Sequence, residues 1–80
     1  MRLKPRQAVE VLWVDASEHS GWHWEDELHT LSINECRSVG YMMEETTKDF
    51  IYLCRDESLE QVGSVMIIPK AWVKKVRKLK

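Results

Sequence analysis

Near the C-terminus, Met66-Ile67-Ile68 runs into Pro69-Lys70-Ala71-Trp72 and then Val73-Lys74-Lys75-Val76-Arg77-Lys78-Leu79, and few folds accommodate that order. Pro69 has no N–H to give to a ladder, so a strand stops there. A single turn follows, and after it a short basic segment with Val73, Val76 and Leu79 as its apolar positions. Intervals of three also fit a helix. A segment this short and poorly capped makes a weak helix, whereas a final strand laid beside the first closes a sheet and removes its edges. The ending predicts a mostly-β chain folded as a small five-stranded barrel.

The rest of the chain supplies the other strands. Ala8 to Ala16 is β-branched and aromatic, with Val9, Val11 and Trp13 on one face of a first strand. Ser17 to Gly21 ends it. Trp22 to Leu31 is acidic, with apolar residues at 22, 24, 28 and 31, and reads as a long first loop with room for one short helix. Cys36 to Met43, Phe50 to Cys54 and Val62 to Pro69 form an antiparallel meander joined by polar connections at 44–49 and 55–61. Gly40 marks a bend or a close backbone approach.

Eighty residues close around a single core, so residues 1–80 form one domain with a thin interior. A domain this small is expected to draw further stability from homo-oligomerisation. No signal-type apolar run follows Arg2, Lys4 and Arg6, and Val65 to Pro69, as long as any uninterrupted apolar stretch, is far short of a membrane span. Cys36 and Cys54 are too few for a disulfide framework and fit free thiols, which places the chain in the cytoplasm.

The net charge of −1 hides an asymmetry: residues 8–69 carry −10, and the two ends together carry +9. If the ends meet in space they form a basic face on an acidic body, serving either self-complementarity or a phosphate-bearing ligand. Self-complementarity has the greater weight, because the overall charge is not that of a nucleic-acid-binding domain.

The run Val9-Glu10-Val11-Leu12-Trp13-Val14-Asp15-Ala16 with Gly21-Trp22 resembles the opening of small proteins encoded by tailed phages and prophages. Ser38-Val39-Gly40-Tyr41, Glu44-Glu45-Thr46, Asp49-Phe50-Ile51 and Ile68-Pro69-Lys70 before Val73-Lys74 extend that resemblance over most of the chain. It implies an SH3-like or Sm-like β-barrel acting as a phage-type accessory protein in the host-cell cytoplasm. It carries over no functional residues.

Catalytic signatures are absent. There is no G-x-S-x-G, glycine-rich phosphate loop or H-E-x-x-H, and Cys36 and Cys54 sit in strand-like runs where cysteine behaves as a small hydrophobe. His19, His23, His29 and the two cysteines lack the paired spacing of a zinc site, so no metal and no cofactor is expected. Binding fits better. Trp22 and Trp24, with Glu25 and Asp26 beside them, form a candidate surface for a host or phage protein. One of these rings is expected to plug the end of the barrel and the other to be partly exposed. The alternative is an oligomeric barrel that holds a nucleotide or nucleic acid through Lys70, Trp72, Lys74, Lys75 and Arg77.

Overall fold

In the computed structural model, which describes Leu3 and residues 5–80, the strands are β1 (Ala8–Asp15), β2 (Asn34–Met42), β3 (Phe50–Cys54), β4 (Asp56–Glu57), β5 (Val62–Gly63), β6 (Met66–Pro69) and β7 (Val73–Lys78). Two 3₁₀ helices interrupt them, η1 (Glu25–Thr30) and η2 (Lys70–Trp72). Five strands form one antiparallel sheet in the order β6-β3-β2-β1-β7, and β4 and β5 form a separate two-stranded pair.

Alternation in β1 decides the faces. Val9, Val11 and Trp13 lie opposite Gly40, Ser38 and Cys36 of β2, so these six residues share the inner face. Glu10, Leu12 and Val14 lie opposite Val39, Arg37 and Glu35 on the outer face. Val9 and Val11 cluster with Ile51, Leu53 and Ile68, which β3 and β6 contribute to the same core. Each such side chain adds about 1.5–3 kcal/mol through burial, and there are few of them. Gly40 permits the crossing of β2 and β3: a Cβ there would lie 2.9 Å from the Cys54 carbonyl oxygen. Trp13 donates its Nε1–H to Ser38 Oγ (3.0 Å) and stacks on Trp72, ring centroids 6.5 Å apart.

The final strand does return beside the first, through a proline-led single turn, since β7 pairs with β1 and η2 follows Pro69. The barrel expected from the sequence is nevertheless not formed. β6 and β7 are the two open edges of the sheet and share no ladder, although only η2 separates them in the chain. β6 has four residues and ends in a proline without an N–H, so little backbone is available for closure. Met66 and Val76 consequently remain exposed on the inner face.

Two smaller expectations also change. The single strand over 62–69 is broken at Ser64, whose φ of 53° turns the chain, so that β5 pairs with β4 instead. The 55–61 connection therefore contains a strand of its own, and Arg6 donates to Glu57 at its end (3.0 Å). That hydrogen bond raises the Arg6 pKa further above its ordinary value.

Outside the sheet, residues 16–33 form an arm. Every residue from 18 to 35 is exposed, and η1 buries nothing. The molecule measures 60 × 21 × 21 Å with a radius of gyration of 16.6 Å, where a compact domain of this length has about 12 Å. Among the described residues, no helix is long and apolar enough to cross a membrane.

Candidate functional site

The arm carries the first candidate site. Its base is fastened by side chains that take up backbone carbonyls left free where β1 and β2 part. Ser17 Oγ donates to the Ser32 carbonyl (2.7 Å), His19 Nε2–H donates to the same oxygen (2.8 Å), and Asn34 Nδ2 donates to Ala16 (3.4 Å). Higher up, His23 Nε2–H is shared between the carbonyls of His19 (3.2 Å) and Ser20 (3.1 Å). These histidines hold the arm's backbone. Among the described residues, no group of three or more His, Cys, Asp or Glu side chains could hold a metal ion.

Gly21, at φ 90°, turns the chain at the head of the arm, a conformation that favours glycine. Trp22 and Trp24 follow. Trp22 is 103 % exposed and Trp24 76 %, so neither plugs the sheet, and the expected division into one closing and one partly exposed ring is not found. The sheet supplies its own large rings, Trp13 and Trp72, and its inner face lies beyond the arm's fastened base. Glu25 and Asp26 start η1 with Glu27, where negative charge suits the N-terminal turn, and Thr30 Oγ1 bonds the Glu27 carbonyl (2.7 Å). Leu28, Leu31 and Ile33 are exposed with the tryptophans. Trp22, Trp24, Glu25 and Asp26 are thus brought together on one projecting element.

The basic candidates are only partly assembled. Lys74 and Lys75 line a cleft of about 520 Å³ with Leu12, Trp13, Glu35, Cys36 and Arg37. Its floor follows from register, because Leu12 lies opposite both Arg37 on β2 and Lys75 on β7. A bulge between Leu12 and Trp13 explains the second lysine. Leu12 pairs with Lys75 and Trp13 with Val73, so Lys74 has no register partner and can join its neighbour at the cleft. Lys74 reaches Glu35 at 3.8 Å. Arg77 instead pairs with Glu10 (3.3 Å), which Arg37 also approaches (3.5 Å). Trp72 is stacked on Trp13, and Lys70 heads η2 at the β6 corner. Arg37 and Leu12 were not singled out from sequence; only the strand register could have found them.

The chain ends do meet: Gln7 Nε2 donates to the Leu79 carbonyl (2.7 Å), and Leu79 N–H donates to Ala8 (2.8 Å). They do not pool their charge, since Arg6 turns to Glu57. Arg2 and Lys4 lie outside the described residues. Cys36 and Cys54 are free thiols.

No protein family, curated protein or solved structure matches this chain. Phage origin, suggested by the resemblance of short segments, therefore has no matching family behind it, and with the sheet left open the barrel that resemblance implied is not what the chain forms.

Proposed function

We propose that this chain is a non-enzymatic binding module that engages a protein partner through the tip of its arm. The observation that carries this reading is the exposure of Trp22 and Trp24 on an element that buries nothing and is yet fastened at its base. Apolar surface of that kind, rimmed by charge, marks interaction sites on proteins, and tryptophan is the commonest anchor in them. Glu18, Glu25, Asp26 and Glu27 lie along the same arm, and no Lys or Arg occurs between residues 7 and 36. The complementary partner presents an apolar pocket with a cationic rim. Free thiols at Cys36 and Cys54 suit a reducing compartment.

The test is affinity capture with the tagged chain beside a Trp22→Ala/Trp24→Ala variant, each checked by thermal melting. Loss of the captured protein by a variant that still melts cooperatively supports the reading. Equal capture by both removes the arm from consideration.

The second reading is a nucleotide or nucleic acid held by the basic final strand, and it draws on the three cations at the cleft, Arg37, Lys74 and Lys75. Glu35 lies among them, and Arg77 is engaged elsewhere. Native mass spectrometry separates the two: a small-molecule adduct lost on Lys74→Glu favours the nucleotide, and a protein adduct lost on Trp24→Ala favours the arm.

A further inference from the structure

The arm and the outer-face cleft are complementary to one another, yet they belong to different parts of the same chain. The arm offers indole rings beside Glu25, Asp26 and Glu27, with no basic residue but histidine anywhere along it. The cleft offers an apolar floor at Leu12 beside Arg37, Lys74 and Lys75, in a volume of about 520 Å³ that also contains Glu35, 3.8 Å from Lys74. Resting on the reading that the arm is the binding element, we propose that its partner is a second copy of this chain. The Trp24 end of each arm seats in the Leu12 cleft of the other copy, and the η1 carboxylates face that cleft's lysines.

Three observations support a second copy over an unrelated protein. First, three consecutive acids meet a cleft whose three cations outnumber its one acid, Glu35, and both surfaces carry apolar groups, as the two sides of an interface must. Second, two antiparallel copies, each arm along the other's body, would cover flanks that a 60 × 21 × 21 Å molecule leaves open. Such a two-fold pair uses both arms and both clefts at once, the closed symmetry most small oligomers adopt. Third, the core is thin, and burial of the exposed Trp22, Trp24, Leu28 and Leu31 adds the apolar area that a chain of this length lacks on its own. The bulge has a role in this arrangement. By freeing Lys74 from register it doubles the lysines at the cleft, opposite a run of three consecutive acids.

The experiment is sedimentation equilibrium on the full chain, with circular dichroism confirming that each variant is folded. Wild type is expected to sediment as a dimer that weakens with added salt, because the charges at the contact are exposed at its rim. Reversing the arm (Glu25→Lys, Asp26→Lys, Glu27→Lys) or reversing the cleft (Lys74→Glu, Lys75→Glu) places like charges together and weakens the dimer on the order of a hundredfold. Mixing the two reversed variants restores a dimer, since each arm then meets a cleft of opposite sign. Trp24→Ala gives a monomer without any change of charge.

A wild-type monomer at all concentrations overturns the second-copy inference. If that monomer still captures another protein in a Trp22- and Trp24-dependent way, the proposed function stands without it. A monomer whose tryptophans are dispensable for capture overturns both. A dimer that survives the reversals and Trp24→Ala associates by another surface and also overturns this inference.

Discussion

In β1 and β3, side chains alternate between an interior and an outer face, and Val9, Val11, Ile51 and Leu53 are buried almost completely. Between residues 18 and 35 the chain carries five large apolar side chains, Trp22, Trp24, Leu28, Leu31 and Ile33, and all of them are exposed. The two regions differ in what their backbones bond to. The body is held by ladders that bring two apolar faces together, so sequence hydrophobicity becomes burial. The arm is held by Ser17, His19, His23 and Asn34 bonding to nearby carbonyls, which fixes its path while residues 18 to 35 stay exposed. Apolar residues in the body therefore serve stability, and those in the arm are left free for the contact proposed above.

That contrast can be broken at several points. The largest effect on stability is expected from Ile51→Ala. It empties the centre of a five-residue cluster and costs about 2–5 kcal/mol, a large share of the roughly 5–15 kcal/mol that holds a domain together. Urea unfolding that shifts by less than half of this would show that the cluster is not the main source of stability. Gly40→Ala comes next. The new Cβ meets the Cys54 carbonyl at 2.9 Å, and the forced separation of β2 from β3 costs about 1–3 kcal/mol. A melting temperature equal to wild type would mean that the two strands cross further apart.

A smaller loss, about 0.5–1.5 kcal/mol beyond the area uncovered, is expected from Trp72→Ala, which removes the stack on Trp13. Near-ultraviolet circular dichroism should lose the signal of the coupled indoles in the same variant. The smallest effect on folding is expected from the largest change in sequence. Asp15 and Asn34 are the last register pair of β1 and β2, so residues 16–33 can be replaced by an Asn-Gly turn. The shortened chain should melt within a few degrees of the Trp24→Ala monomer and neither dimerise nor capture a protein. Unfolding of that chain would show that the arm supports the body, and the division drawn between them would fail.

How much could be read in advance follows from the range of the interactions involved. β1, β3 and the returning β7 were legible because alternation, β-branching and the Pro69 stop are local signals. The break at Ser64 and the small β4–β5 pair were not, because nothing local marks a positive φ at a serine. Trp22 and Trp24 were legible as candidate contacts from their acidic surroundings, while the prediction that one of them plugs a barrel assumed an opening within reach of the arm. Arg37 and Leu12 were invisible as site residues, since their place beside Lys75 depends on two registers at once. Lys74 and Lys75 were named from sequence, but their grouping apart from Arg77 and Trp72 depends on the bulge and on Glu10.

The sequence by itself determined that this chain is mostly β, that its final strand returns to the first through a proline-led turn, and that its charge is divided between acidic middle and basic ends. Tertiary structure alone decided that β6 and β7 stay unjoined, that two tryptophans stand free on a fastened arm, and that a cleft lined by Leu12, three cations and Glu35 lies across β2, β1 and β7. The reason is physical. Strand propensity and stop signals act over a few neighbouring residues, whereas edge closure, exposure and the shape of a cleft depend on register and curvature summed over strands far apart in the chain.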